Sequence, residues 1–289
     1  MLVYYRNVIL FLVLWSSAFY VASAHAGTGW GSDTRIKKDI SYGVDRLQKL
    51  DIYLPLGARA KKRPVHIFVH GGAWRIGDKK RFSKHAKLNT DNGIIFVSIN
   101  YRLSPKVKHP AHVEDCARAV KWVYDNIGAY GGDINRIHIS GHSAGAHLVA
   151  LLGTQSKYLR SYGLPPSILK IVIPVDTASF DFTTPPKGSG ARFLPRVIAK
   201  TFGTGEVQLK AASPLFHVNS KNAPRFMMFV TSERADAVAQ TTVFNKALLD
   251  AGTRSTMQII QGLSHSEMSK AMANPKSPIA QGILKAILN

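Results

Sequence analysis

Apolar and polar positions alternate along this chain in a rhythm that changes twice. Ile36 to Tyr42 and Leu47 to Leu54 alternate with period two around a turn containing Gly43, the pattern of antiparallel edge strands. Short β-branched and aromatic runs then follow one another: Val65 to Val69, Ile94 to Ile99, Arg136 to Ile139, Leu169 to Val175, Arg225 to Val230 and Thr256 to Ile260. Runs of this length read as strands, and the one at Ala223 to Thr231 as a buried strand. Between them lie helical segments at Ala111 to Tyr124, from Ser143, at Ala237 to Leu249 and from about Ile279. Strand-helix alternation predicts an α/β fold with a mostly parallel sheet and helices on both faces. The rhythm breaks between Asp176 and Pro214, where Pro, Gly and Thr gather and only Ala191 to Phe202 reads as a helix. A cap segment over the mouth of a site, about residues 177–213, is the expectation there.

The first 26 residues stand apart from this pattern. Arg6 precedes an apolar stretch from Val8 to Tyr20, and Ala24-His25-Ala26 offers a small-x-small cleavage site. That arrangement predicts a secretory signal peptide over residues 1–26 and a periplasmic or secreted protein, with the remainder, 27–289, as one catalytic domain. The stretch is short for a membrane span, so an uncleaved anchor is the weaker reading. Cys116 is the single cysteine, so no intramolecular disulfide can form, and its place within Ala111 to Val123 puts it on a buried helix face.

Charge complicates the picture. Thirty-eight basic and 17 acidic side chains give a net charge of +21, with clusters at Arg59 to Arg63 and from Lys79 through Arg81, Lys84 and Lys87. A nucleic-acid binder would concentrate such charge on one motif with interleaved aromatics, and none is visible. A solvated basic surface is the plain reading; association with anionic envelope polymers is the functional one.

The chemistry concentrates in four short stretches. Gly141-His142-Ser143-Ala144-Gly145 is a G-x-S-x-G between an apolar strand and a helix, a turn that lifts a serine hydroxyl over the carboxyl end of a sheet with helix amides behind it. Val65 to Val69 ends in His70-Gly71-Gly72-Ala73-Trp74, where paired glycines leave backbone N–H groups open for an oxyanion. Glu233 and Asp236 follow the strand at Ala223 to Thr231, and Gly262-Leu263-Ser264-His265 follows the last strand. Oxyanion loop, serine, acid, histidine is the chain order of one fold family.

The chain here resembles the α/β-hydrolases, in the esterase branch with an HGG-x-W motif that includes feruloyl-esterase-like carboxylesterases and arylformamidase-like enzymes. The likeness runs from about residue 45 to the end and includes Asn100-Tyr101-Arg102-Leu103-Ser104-Pro105, His109-Pro110, Val113-Glu114-Asp115 and Tyr130-Gly131-Gly132-Asp133. It implies an α/β-hydrolase fold, Ser143 as nucleophile, His265 as base, and the amides of Gly72, Ala73 and Ala144 as oxyanion hole. His70 would prop that loop. Departing from the usual His-Gly-x-x-Asp, this chain reads Val230-Thr231-Ser232-Glu233-Arg234-Ala235-Asp236. In the formamidase-like subset an acid is followed by a second acid, a glutamine and an aromatic, a spacing that Glu233, Asp236, Gln240 and Phe244 match without a gap. That register favours Glu233 as the acid, with Asp236 the competing choice and Asp176, after its own strand, the remaining candidate.

The expected activity is that of a serine carboxylesterase acting on a small or aromatic ester, a small-molecule substrate, without a cofactor. An arylformamidase-type amide hydrolase uses the same machinery, and a non-catalytic envelope-binding protein on a hydrolase scaffold is the alternative from another class. No H-E-x-x-H or Cys/His spacing points to a metal, since His138, His142 and His147 fall on strand, turn and helix. Dinucleotide and phosphate-cradling glycine patterns are also missing.

Overall fold

A computed structural model of the chain describes residues 35–57, 62–185 and 193–289. The expected signal peptide and residues 186–192 of the expected cap lie outside the described residues. Eight strands form one sheet: β1 (Ile36–Ser41), β2 (Lys49–Tyr53), β3 (Arg63–Val69), β4 (Ile95–Ile99), β5 (Gly132–His142), β6 (Leu169–Val175), β7 (Arg225–Thr231) and β8 (Arg254–Ile260). Their spatial order is β1-β2-β4-β3-β5-β6-β7-β8. The pairs β1–β2 and β2–β4 are antiparallel and the remaining five are parallel, so the alternating N-terminal stretches do form the antiparallel edge.

Side-chain alternation assigns each strand residue to one of two apolar layers. Val65, Ile67 and Val69 of β3 and Ile95, Val97 and Ile99 of β4 face one layer, which contains residues of α2 (Ala111–Asn126), α3 (Ala144–Thr154) and α7 (Ala235–Asp250). Phe68, Phe96, Ile173 and Val175 face the other, with α1 (Ser83–Asp91), α8 (His265–Ala271) and α9 (Pro278–Leu288). Every residue of α3 is buried, because the helix lies on the sheet and is covered in turn by α2. Its sequence, Ala-Gly-Ala-His-Leu-Val-Ala-Leu-Leu-Gly-Thr, is accordingly apolar on all sides. On α2 the stripe Val113, Cys116, Ala117, Val120 and Val123 is buried, which puts the Cys116 thiol in the core, where burial raises its pKa.

Between β6 and β7 come α5 (Leu194–Phe202) and α6 (Glu206–Ala212). The sequence pattern anticipates α5 and misses α6. It also misses α1, α8 and the one-turn α4 (Lys157–Arg160). Helix α1 escapes because its buried face is His85, Ala86, Leu88, Asn89 and Thr90, with the polar members satisfied locally: Asn89 Nδ2 donates to His85 O and Thr90 Oγ1 to Ala86 O.

One expectation about charge is corrected. Lys79 belongs to no basic surface: its side chain is 1% exposed and its ammonium lies 2.7 Å from both Asp39 Oδ1 and Asp51 Oδ1. Lys87, by contrast, makes an exposed pair with Asp91.

Candidate active site

β5 runs directly into α3, and Ser143 is the junction. Its φ of 58° and ψ of −118° lie where a side chain is strained, and the elbow holds because the residues two before and two after it, Gly141 and Gly145, are glycines. A Cβ on Gly145 would stand 2.1 Å from Val69 O, and one on Gly141 2.4 Å from the Gly145 carbonyl. The close approach of β3 to the turn therefore requires glycine. The Ser143 N–H donates to Val175 O at 3.0 Å, pinning the elbow to the end of β6.

The loop expected to hold the oxyanion, His70 to Trp74, follows β3. A Cβ on Gly71 would lie 3.1 Å from Ser143 Cβ, so the loop passes beside the serine. Gly72 has φ 118°, and Ala73 and Trp74, without that freedom, hold φ values of 50° and 57°. The loop is clamped from several sides. His70 stacks on Tyr101 with centroids 4.4 Å apart, Tyr101 Oη donates to His70 O at 3.0 Å, and Trp74 Nε1 donates to His147 Nδ1 at 3.1 Å. His147 Nε2 then donates to Ala212 O at 2.8 Å, tying the loop to the end of α6. Burial pushes the His70 imidazole down to about 4 and that of His147 to about 3, so both are neutral props.

His265 opens α8, where Ser264 caps the helix by accepting from Glu267 N and Glu267 reaches back to Ser264 N. Its Nε2 lies 2.9 Å from Ser143 Oγ. Its Nδ1 makes a short hydrogen bond to Asp176 Oδ2. The structure thus brings Asp176, and neither Glu233 nor Asp236, to the imidazole. Sheet order explains this correction. β6 is the neighbour of β5, and Val175 pairs with His142, so the next residue of β6 lies beside the elbow, whereas the turn after β7 is a strand further away. Glu233 turns to solvent, accepting from Ser232 Oγ at 3.2 Å. Asp236 sits in the first turn of α7, 3.9 Å from Arg234 Nη2.

Asp176 is fully buried, with a left-handed φ of 52°. Thr231 N–H donates to its Oδ1 at 3.3 Å and Arg234 Nη1 approaches its Oδ2 at 3.4 Å. Burial works to raise the carboxyl's pKa, but the His265 hydrogen bond and the Arg234 charge outweigh it and hold the group below the ordinary carboxylate value. Gln240 and Phe244 serve the segment that leaves Asp176: Gln240 Oε1 accepts from the amides of Phe180 and Asp181 at 2.9 and 3.0 Å, and Phe244 stacks on Phe180. Their spacing after Glu233 therefore reports support of the chain after β6, and says nothing about which acid meets the histidine.

Arg234 and Thr231 at this site have no signal in the linear pattern. The family motifs at Asn100 to Pro105 have structural partners: Asn100 Oδ1 accepts from Lys79 N, and Arg102 meets the buried Asp115 through Nε and Nη2. His142, Asp176 and His265 bring one donor atom each within 4.8 Å of one another. Asp176 Oδ2 and His265 Nδ1 are already bonded to each other, and His142 Nε2 donates to His265 O at 2.8 Å, so a cation would have to break both contacts.

An open sheet of this order, with a serine on a strained strand-helix turn and a histidine and carboxylate on later strand ends, defines an α/β-hydrolase fold. The family model BD-FAE matches residues 50–248, and the chain belongs to the BD-FAE family. Esterase LipQ of Mycobacterium tuberculosis is 36% identical over 229 residues, 74% of this chain and 53% of LipQ. Isoprenylcysteine alpha-carbonyl methylesterase ICME of Arabidopsis thaliana is 27% identical over 245 residues, 81% of this chain and 57% of that protein. The chain spans about half the length of the curated relatives it matches. Among solved structures, esterase B of Lactobacillus Rhamnosis superposes with a TM-score of 0.72 at 18% identity, covering 88% of this chain and 84% of that one. An esterase of Pyrobaculum calidifontis gives 0.70 at 23%, covering 83% and 80%. These two share the fold.

Proposed function

We propose that the chain is a serine carboxylesterase that cleaves a small or aromatic carboxylic ester through an acyl-enzyme on Ser143, with His265 as base and Asp176 as the triad acid. The observation that carries this is the hydrogen-bonded line Ser143 Oγ, His265 Nε2, His265 Nδ1, Asp176 Oδ2, with the glycine loop after β3 passing beside the serine. Esterase names among the relatives support the reading.

The chemistry runs from that geometry. As Ser143 Oγ attacks the ester carbonyl, its proton passes to His265 Nε2, and the buried Asp176 carboxylate stabilises the imidazolium through Nδ1–H. The carbonyl oxygen, now negative, meets the amides of Gly72, Ala73 and Ala144, each such donor contributing about 3 kcal/mol in the transition state. Collapse expels the alcohol, which takes the proton from His265. Water then repeats the sequence on the acyl-enzyme, releasing the acid and restoring the serine.

Turnover of a panel of p-nitrophenyl, feruloyl and N-formyl substrates tests the reading. Ester hydrolysis that falls by several orders of magnitude in Ser143→Ala is the expected outcome. Wild-type-like turnover in that variant, or a preference for N-formyl amides over every ester, overturns it. Residues 1–26 act in this proposal as a cleaved export signal, supported by Arg6, the Val8 to Tyr20 stretch and Ala24-His25-Ala26. Mass spectrometry should find a mature terminus near Gly27 in the periplasm; an intact Met1 in the membrane fraction would refute that.

A further inference from the structure

Arg234 stands where the turn after β7 would otherwise offer an acid to the histidine. Its Nη1 lies 3.4 Å from Asp176 Oδ2, 3.5 Å from Asp176 O and 3.1 Å from His265 Nδ1. Its Nη2 faces Asp236 Oδ2 at 3.9 Å, and its side chain is only 16% exposed. A cation thus sits on the same two atoms whose hydrogen bond defines the dyad.

Two arrangements of the imidazole compete at that point. With the proton on Nδ1, His265 donates to Asp176 and leaves Nε2 free to accept from serine. With Nδ1 bare, Arg234 donates to it, and Nε2–H points at Ser143, which cannot then be deprotonated. The carboxylate is the closer partner and selects the first arrangement. In that arrangement the guanidinium fixes the carboxylate by a direct contact. The other groups near His265 have partners of their own. His142, from the end of β5, stacks at 4.6 Å as a neutral ring, and on α8 itself Glu267 is spent on Ser264. Asp236 faces the Arg234 guanidinium at 3.9 Å.

We propose that Arg234, anchored by Asp236, is a positioning residue for the Ser143–His265–Asp176 relay, holding the Asp176 carboxylate on His265 Nδ1 so that the ring presents a bare Nε2 to Ser143. This rests on the triad reading above. Glu233 and Asp236 then have distinct places: the first is a surface acid, the second is the anchor of the cation.

The test is kcat and KM for p-nitrophenyl acetate measured separately, with the folded state followed by circular dichroism. Arg234→Met should lower kcat at neutral pH by about tenfold while KM stays within about twofold of wild type. Arg234→Lys, which restores the charge without the planar fork, should recover kcat only in part. An unchanged kcat in Arg234→Met, or a Lys variant as slow as the Met variant, overturns the proposal. If Arg234→Met does not fold, Asp236→Asn decides: releasing the anchor should lower kcat in part with KM unmoved, and an unchanged kcat refutes the role. Failure here leaves Ser143→Ala inactive, whereas failure of the triad reading leaves Ser143→Ala active, so the two are told apart.

Discussion

Asp176→Asn is the most discriminating single change. Asparagine keeps the volume of the side chain, so the buried, left-handed position at the end of β6 is filled as before. What changes is the distribution of donors. Thr231 N–H donates to Oδ1, while Arg234 Nη1 and His265 Nδ1 share Oδ2, so an asparagine whose carbonyl oxygen answers Thr231 places its NH2 at the second position, toward His265 Nδ1 and against the Arg234 guanidinium. An amide donor there stabilises a bare Nδ1, which puts the proton on Nε2 and blocks deprotonation of Ser143. The imidazolium also loses its counter-charge. Loss of a triad acid with retained geometry costs about 10³–10⁴ in kcat, or roughly 4–5.5 kcal/mol of barrier. Glu233→Gln touches only a solvent-facing group and should stay within about threefold of wild type, the range of an exposed charge. Asp236→Asn, which loosens Arg234, should fall between the two. Steady-state hydrolysis of p-nitrophenyl acetate, with thermal melts to confirm folding, measures all three. A loss of a thousandfold in Glu233→Gln beside a near-normal Asp176→Asn would refute the assignment and the sheet-order argument behind it.

Two further predictions concern stability. Burial holds His66, His70, His85, His109 and His112 down to about 4, and His138, His142 and His147 to about 3, all below the unfolded value near 6.5, so the unfolded chain takes up protons that the native one refuses. Stability is therefore fully present above about pH 6.5 and lost as pH falls toward 4; at pH 5.5 each such group costs about 1.4 kcal/mol, and half of them acting together approach the whole stability of a domain. The urea midpoint should drop steeply between pH 8 and 5.5, and an equal or higher midpoint at pH 5.5 would contradict this. Lys79→Met leaves Asp51, 1% exposed, without its cation and should cost about 3–5 kcal/mol, whereas Lys87→Met, on an exposed pair with Asp91, should cost under about 0.5; equal urea midpoints for the two variants would show the buried pair to be inert.

The sequence makes the sheet legible because its central strands β3, β4, β6 and β7 are runs of largely apolar residues, and it makes the elbow and the glycine loop after β3 legible because close backbone approach leaves glycine as the one residue that fits. Neither rule reaches the acid. Three carboxylates, Asp176, Glu233 and Asp236, each follow a strand, and nothing local says which strand end lies beside the serine. That is decided by the pairing of Val175 with His142, a contact between residues 33 positions apart. The spacing from Glu233 to Gln240 and Phe244 is physically meaningful, but it encodes a clamp on Phe180 and Asp181. Lys79 misleads in a similar way: a basic run reads as solvated surface until β2 brings Asp51 beneath it. Composition counts charges, and only the fold pairs them.

The oxyanion loop shows how the remaining, illegible residues earn their place. Ala73 and Trp74 sit at positive φ without glycine's freedom, a cost of about 1–3 kcal/mol each that the surroundings must override. They do so through Trp74, which is 1% exposed and packs edge-on against His147 and Phe202, with ring centroids 5.3 and 4.9 Å away, while Phe182 closes the side toward the start of the cap. His147 accepts from the indole and donates to the end of α6, so one neutral imidazole joins the strained loop to the cap across the helix that follows the nucleophile. Protonating that ring would remove the acceptor and place a charge among aromatic side chains, releasing loop and cap together. The depressed His147 value is thus the electrostatic face of a packing requirement: the loop keeps its strained path beside Ser143 only while the ring beneath it stays uncharged.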